Sequence, residues 1–205
     1  MHASDETDVL LGRLAAGDAA AANALLHRYR DRLRRMVALR IDDRVTSRFD
    51  PSDVVQEALL VASRRIRDYA LRRELPFYPW LRHIAWEQLL KFHERHIYTK
   101  KRAVEYERPL PQLSDESLNL LVKRLAGANA SPSERLLMQE RQVLVRAALA
   151  KLQAVYREVL ELRYLEQLDN AEIAAVLNVN ETTVRTRHFR AIERLHRLLR
   201  EGSPG

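Results

Sequence analysis

Apolar residues recur at spacings of three and four positions along most of the 205-residue chain, as they do in amphipathic helices. In the segment that starts at Asp18, one such face is formed by Ala22, Leu25, Leu26, Tyr29, Leu33, Met36 and Val37. The same pattern predicts helices over residues 4–16, 18–41, 50–69, 79–96, 133–152 and 155–165, and two more over 169–200. Because the spacing is helical rather than alternating, we expect an all-α fold.

Helix-breaking residues interrupt this pattern between positions 103 and 133, namely Pro109, Pro111, Ser114, Gly127, Ser131 and Pro132. We therefore predict two helical domains, residues 1–102 and 133–202, joined by a flexible linker over 103–132. A short amphipathic helix can form within the linker over 114–125, with apolar positions at Leu118, Leu121, Val122 and Leu125. A further loop is predicted over 70–78, where Pro76 lies close to Pro79.

The net charge of +7 is concentrated in two separate blocks. Residues 28–102 contain nineteen Lys or Arg against ten Asp or Glu, and residues 185–200 contain six arginines against the single acid Glu193. Two basic blocks indicate two contacts with one polyanion such as DNA. A coding bias toward arginine would produce the same surplus without any ligand.

Several function classes are disfavoured by what the sequence lacks. The chain has no cysteine, which excludes disulfides and thiolate zinc sites and fits a reducing cytoplasm. It has no apolar run of about 18 residues, so we expect no membrane span. His93 and His96 make a poor zinc pair without a third ligand. With no glycine-rich phosphate loop and no nucleophile–base pair, we expect no cofactor, no metal and no catalysis.

Residues 169–200 have the pattern of two helices joined by a tight turn. Asp169 and Glu172 have the spacing of a capping box, and Asn180 can cap the second helix. Asn178 lies where the turn needs a left-handed residue, a conformation that asparagine tolerates. We expect the buried face of the second helix to contain Val184, Ala191, Ile192, Leu195 and Leu198. A one-sided basic helix after a capped turn is typical of major-groove binding; a solvated amphipathic helix is the alternative.

A more specific motif lies upstream, with the sequence Asp50-Pro51-Ser52-Asp53-Val54-Val55-Gln56-Glu57-Ala58 and then Phe77-Tyr78-Pro79-Trp80-Leu81-Arg82-His83-Ile84-Ala85. Together with residues 156–164, 172–174 and 183–191, in this order, these segments resemble the extracytoplasmic-function (group 4) sigma factors of bacterial RNA polymerase. The resemblance covers about 10–102 and 133–200. It implies two helical domains, sigma-2 and sigma-4, in a promoter-specificity subunit that directs transcription initiation.

The resemblance implies that sigma-2 docks on the clamp helices of the polymerase β′ subunit and that sigma-4 contacts the β flap. The docking residues that it implies are Asp53, Gln56, Glu57 and Asp50. A face that presents acids and an amide suits a basic partner. Asp50 precedes Pro51 at a helix start, and we expect it to act mainly as a cap.

By the same resemblance, sigma-2 recognises and melts the −10 element, which needs aromatic platforms for unstacked bases and a cationic groove. The candidate residues are Trp86, Lys91, Arg95, Tyr98, Lys100, Lys101 and Arg102. Tyr69, Phe77 and Tyr78 are further aromatic candidates, whereas we expect the rings of Trp80 and Phe92 in the core.

Sigma-4, by resemblance, binds the −35 element in the major groove. The candidate residues are Glu181, Thr182, Arg185, Thr186, Arg187, Phe189 and Arg190. Arginine can pair bidentately with guanine, and a phenyl ring can contact a thymine methyl group. Glu181 could accept a hydrogen bond from cytosine or only favour the helix start.

Two other functions stay open from the residues alone. A stand-alone helix-turn-helix transcriptional regulator would leave the face of Asp53, Gln56 and Glu57 unexplained, and an RNA-binding or antitermination protein is a third class. The partners implied by the resemblance are RNA polymerase core, promoter DNA and an anti-sigma factor, since many family members are held inactive by one. We expect the protein in the cytoplasm.

Overall fold

The computed structural model describes residues 3–41, 50–97, 115–126 and 135–201. Within these ranges the chain is helical and contains no strand, which confirms the predicted all-α fold. Its helices are α1 (Ala3–Ala15), α2 (Ala19–Ala38), α3 (Pro51–Arg72), α4 (Phe77–Ile97), α5 (Asp115–Ala126), α6 (Arg135–Lys151), α7 (Ala154–Leu160), α8 (Asn170–Leu177) and α9 (Glu181–Glu201). The last turn of α7 continues as a π-helical segment, Glu161–Leu165.

The chain divides into two compact units, Met1–Gln112 and Leu113–Gly205. Helix α5, which lies inside the predicted linker, packs in the second unit against α6 and the π-helical segment and buries Leu121 and Val122. The second unit therefore begins before residue 133. Helix α5 belongs to it because the apolar face of α5 packs on α6 and the π-helical segment. The remaining parts of the predicted linker, residues 103–114 and 127–132, lie outside the described residues.

In the first unit, α2, α3 and α4 pack on one another, and α1 packs on α2 and α3. The largest side chains that this packing buries fully are Leu25, Leu33, Met36, Ile66, Leu81 and Leu89. The sequence pattern placed Leu25, Leu33 and Met36 on the inward face of α2. Packing of four amphipathic helices thus supplies a continuous core that fixes the outward faces of α3 and α4.

Aromatic side chains fill one end of this core. The rings of Tyr69 and Trp80 stack with centroids 4.4 Å apart, and Phe77 contacts both. The Tyr69 hydroxyl donates to the Leu75 carbonyl at 2.8 Å, and burial raises the pKa of Tyr69 to about 12. Tyr69, Phe77 and Tyr78 are all buried, so these rings form the core and do not offer platforms for bases.

The predicted loop over 70–78 is wrong in its bounds, because helix occupies most of it. Helix α3 runs to Arg72, and Arg73 ends it in the left-handed conformation with its N–H donating to the Tyr69 carbonyl. Helix α4 already begins at Phe77. Pro79 lies in the first turn of α4, where the N–H that proline lacks has no acceptor within the helix.

In the second unit, α9 packs against α6, α7 and α8. The predicted capping box is confirmed: the Asp169 carboxylate accepts from the Glu172 N–H, and the Glu172 carboxylate accepts from the Asp169 N–H. Asn178 ends α8 with φ 51° and ψ 49°, as predicted. Its N–H donates to the Ala174 carbonyl, so this residue sets the direction in which the chain enters α9.

Because Asn178 holds a left-handed conformation, we expect Asn178→Ala to lower the free energy of unfolding of the second unit by about 1 kcal/mol. Asn178→Gly should match the wild type to within about 0.5 kcal/mol. Chemical denaturation followed by far-UV circular dichroism measures both. Asn23→Ala, at an exposed position inside α2, is the matched control and should not destabilise the protein. Equal stability of the Asn178→Ala and wild-type proteins would contradict the prediction.

Candidate nucleic-acid interface

The candidate polymerase-docking residues, which flank the candidate DNA contacts in the sequence, lie at the start of α3, where two aspartates cap the helix. The Asp50 carboxylate accepts from the Ser52 N–H at 2.7 Å, and the Asp53 carboxylate accepts from the Asp50 N–H at 3.1 Å. The cap predicted for Asp50 is confirmed. Hydrogen bonds from the Ser52 backbone and hydroxyl lower the pKa of the Asp50 carboxyl. Asp53, which was predicted as a docking residue, also holds the helix start in place.

Beyond the cap, α3 has a clear division between its two sides. Val54, Val55 and Ala58 are buried in the first unit. The opposite side exposes Asp53, Gln56, Glu57 and, with 49% of its surface accessible, Leu60. The predicted docking residues Asp53, Gln56 and Glu57 therefore form one outward face, and Leu60 adds an apolar side chain at its C-terminal end. Leu60 was missed, although its position one turn after Gln56 is the signal that places it there.

The candidate −10 residues lie on α4, and the structure describes three of them. Trp86 is half-buried, and Lys91 and Arg95 are exposed. The guanidinium groups of Arg40 and Arg82 lie 5.2 and 5.6 Å from the centroid of the Trp86 indole, within the range of cation–π attraction. The other four candidates, Tyr98, Lys100, Lys101 and Arg102, lie outside the described residues.

Arg40 and Arg82 are functional candidates that sequence reasoning missed. Both arginines are nearly buried, with 6% of their surface exposed, and they hold positive charge beside a partly exposed indole. Arg82 lies one helical turn before Trp86, which is a local signal. Arg40 lies two residues after the end of α2, and only the packing of α2 on α4 brings it near Trp86.

Helix α9 carries the largest exposed set of candidate residues. The Asn180 side chain accepts from the Thr183 N–H at 2.7 Å, so the predicted cap is confirmed. Val184, Ala191 and Leu195 are buried as predicted, whereas Ile192 and Leu198 are half-buried. On the outward side, the exposed residues are Glu181, Thr182, Arg185, Thr186, Phe189 and Arg190, with Arg187 half-exposed at the edge. The structure thus places all seven candidate −35 residues along one helix, six of them exposed and Arg187 at the edge of the exposed surface.

Hydrogen bonds connect neighbouring residues along this face. The Glu181 carboxylate accepts from the Arg185 guanidinium at 3.0 Å, and the Thr186 hydroxyl donates to the Thr182 carbonyl at 2.9 Å. An open groove of about 330 Å³ runs beside them, lined by Val155, Tyr156, Asn180, Thr182, Thr183, Thr186, Arg187 and Arg190. Cations and hydroxyl groups along a groove are the groups that contact DNA phosphates. Phe189, with 70% of its surface exposed, is the apolar member of the face.

Two contacts behind this face were not predicted from the sequence. The Arg194 guanidinium donates to the Gln153 side chain at 2.9 Å and lies 4.4 Å from the centroid of the Tyr156 ring, which ties α9 to the start of α7. The Tyr164 hydroxyl and the His188 Nε2 atom are 3.2 Å apart and form a hydrogen bond. His188 lies one turn after buried Val184, a signal that it faces inward, but its partner is distant in sequence.

The geometry has counterparts in known proteins. The family model described as "Sigma-70, region 4" matches residues 142–195, which include the turn and the exposed face of α9. The "ECF RNA polymerase sigma-E factor" of Escherichia coli strain K12 is 30% identical over 189 residues, covering 90% of each chain. The chain belongs to the extracytoplasmic-function (ECF) family of RNA polymerase sigma factors. The sigma factor is also 29% identical to the "ECF RNA polymerase sigma-E factor" of Haemophilus influenzae over 188 residues, which is again 90% of each chain.

Among solved structures, the sigma factor is similar to CnrH in complex with the cytosolic domain of CnrY. The identity is 23% and the TM-score 0.49, and the match covers 95% of this chain and 97% of that one. In the parts of the sigma factor that the structure describes, no helix has both the length and the apolar content to cross a membrane. No group of three or more His, Asp or Glu residues suited to a metal ion occurs in those parts.

We expect acid to destabilise the second unit through His188. Burial and the nearby Arg163 charge lower the pKa of His188 below the usual 6.5. The unfolded chain therefore binds this proton at a higher pH, and the free energy of unfolding falls as the pH drops below about 6.5. His188→Gln should reduce this pH dependence.

The two units can be followed separately, because both tryptophans, Trp80 and Trp86, lie in the first. Circular dichroism reports on both units and tryptophan fluorescence on the first, so the difference isolates the second. His196→Gln, at an exposed position on α9, is the control and should keep the wild-type pH dependence. An unchanged pH dependence in His188→Gln would contradict the assignment.

Proposed function

We propose that this sigma factor directs promoter-specific initiation by RNA polymerase through three surfaces. They are the outward face of α3, the Trp86 region of α4 and the exposed face of α9. The observation that carries the proposal is the α9 face, where Arg185, Phe189 and Arg190 are exposed on a capped, packed helix. Family membership assigns the sigma-factor role to the whole chain.

In this proposal α9 enters the major groove of the −35 element. Arg185 and Arg190 are exposed and can pair with guanine edges, and Phe189 can cover a thymine methyl group. The Glu181 carboxylate holds Arg185 in the free protein, and DNA phosphates or bases would replace it. The groove that contains Arg187 and the threonines lies beside α9, where it can accept the sugar–phosphate backbone.

The α3 face is proposed to dock on the β′ clamp helices. Its carboxylates attract a basic surface over several ångströms, and Leu60 offers apolar area for close contact. Because Gln56 and Glu57 are exposed while their neighbours are buried, they are free to meet a partner without disturbing the core. The β flap is the second proposed polymerase contact, through the second unit.

The Trp86 region is proposed to take part in −10 recognition. A half-exposed indole with two guanidinium groups beside it combines a stacking surface with positive charge, which is what an unpaired base on a phosphate chain requires. Lys91 and Arg95 continue the positive charge along α4.

The sigma factor is proposed to act in the cytoplasm as a positioning subunit with no catalysis of its own, because the polymerase core supplies the chemistry. An anti-sigma factor that covered the α3 face would compete with the core for Gln56 and Glu57. The decisive test is run-off transcription on genomic fragments with purified core, with mapped start sites. Tight operator binding by the chain alone, without any core-dependent transcript, would favour a stand-alone regulator and overturn the proposal.

We expect Glu57→Lys to weaken binding to polymerase core by roughly five- to tenfold, because it places a cation in a face that meets a basic partner. Fluorescence anisotropy competition with purified core measures the affinity. Glu57 is preferred to Asp53 because the Asp53 carboxylate also holds the start of α3. Glu74→Lys makes the same charge change at an exposed loop position and should bind core like the wild type. Equal losses in both variants would argue against docking by α3.

We expect Arg185→Ala to cost about 1–3 kcal/mol of −35 binding and to relax the preference at one base position. Holoenzyme binding to promoter fragments mutated base by base across the −35 element measures both effects. Arg200→Ala, in the last turn of the same helix, removes the same charge and should leave the base preference intact. A uniform loss on all sequences would instead identify Arg185 as a phosphate contact.

A further inference from the structure

Helix α5 makes a specific contact with the backbone just ahead of the helix-turn-helix. It rests on α6 and the π-helical segment through buried Leu121 and Val122, and its Asn119 side chain accepts from Arg146 at 2.9 Å. Near its end, the Arg124 guanidinium donates a hydrogen bond to the backbone carbonyl of Tyr164. The Arg124 guanidinium thus lies at the C-terminal end of the π-helical segment, within the unit that contains the helix-turn-helix.

The Tyr164 carbonyl lies at a helix end, where the helix itself provides no N–H donor for it. It lies in the last turn of the π-helical segment, and Gln167, with φ 56°, turns the chain away three residues later. The last carbonyls of a helix have no N–H donor within the helix and carry its negative dipole end. A guanidinium from α5 supplies both the donor and the opposite charge.

The side chain of the same tyrosine contacts α9. Its hydroxyl is 3.2 Å from the His188 Nε2 atom, and the two rings stack with centroids 5.9 Å apart. His188 lies between Arg187 and Phe189, two residues of the exposed α9 face. Tyr164 is therefore held through its backbone by α5 and through its side chain by α9. A continuous set of contacts leads from Arg124 to the DNA-binding helix.

The contact lies outside the region shared with the family model, which begins at residue 142, whereas α5 ends at Ala126. The helix-turn-helix lies within the matched region, and the contact from Arg124 reaches Tyr164 from outside it. Burial of apolar surface by α5 would by itself need only Leu121 and Val122.

We propose that Arg124 and Tyr164 are positioning residues for −35 recognition: α5 fixes the carbonyl of Tyr164, and Tyr164 fixes His188 so that α9 presents its DNA-binding face in one rotation. The inference rests on the proposed function of α9. Bidentate pairing with a base edge needs two hydrogen bonds aligned at once, so a small rotation of α9 affects base selection more than phosphate contacts. The expected defect is a loss of selectivity with smaller loss of overall DNA affinity.

The first test follows His188 in the full-length chain by NMR with ¹⁵N-labelled histidine at neutral pH. Tyr164→Phe removes only the hydroxyl and should shift the His188 Nε2 resonance. Arg124→Met should shift it in the same direction, and Arg124→Lys, which restores a donor, should return it toward the wild type. Lys123→Met is the control, because this exposed neighbour on α5 loses the same charge. An unchanged His188 resonance in Arg124→Met would overturn the coupling.

The second test selects from promoters with a randomised −35 region, using holoenzyme reconstituted with each variant. Arg124→Met and Tyr164→Phe should each lower enrichment of the wild-type motif by about fivefold, the effect of one lost hydrogen bond, while Arg124→Lys and Lys123→Met retain it. Wild-type enrichment in Tyr164→Phe would overturn the positioning role. If wild-type holoenzyme itself enriches no motif, the proposed function of α9 fails, and the NMR result alone decides whether Arg124 acts on His188.

Discussion

Every helix leaves its first N–H groups and its last carbonyls without partners inside the helix. The geometry of this protein depends on how these groups are satisfied. Asp50 and Asp169 satisfy them at the starts of α3 and α8, each within a capping box. At the other ends, Arg73, Gln167 and Asn178 adopt the left-handed conformation in a chain with only five glycines. These residues set where each helix stops and therefore which way the next one points.

This dependence explains which parts of the structure could be predicted from the sequence. A cap is a contact between residues two or three positions apart, so Asp50, Asp169 and Asn180 were recognisable from spacing alone. Helical periodicity likewise identified the buried face of α9 and hence its exposed face. The family resemblance added the role of sigma factor, which no periodicity contains.

The contacts that escaped prediction are those between residues far apart in the chain. Arg40 reaches Trp86, Arg124 reaches Tyr164, and Tyr164 reaches His188 only because the helices pack as they do. The end of α3 and the start of α4 were also misplaced. Proline suggested a loop before α4, but in the first turn of a helix it is tolerated. The π-helical segment has no signature in composition at all.

In the proposed −35 contact, the exposed ring of Phe189 would give DNA binding a component that the arginines do not supply. Arginine–phosphate contacts release counterions, so their contribution weakens as salt concentration rises. Covering an apolar ring removes hydrocarbon from water, which lowers the heat capacity on binding and depends little on salt. A face that contains both kinds of group, as α9 does, would keep part of its promoter affinity at high salt concentration.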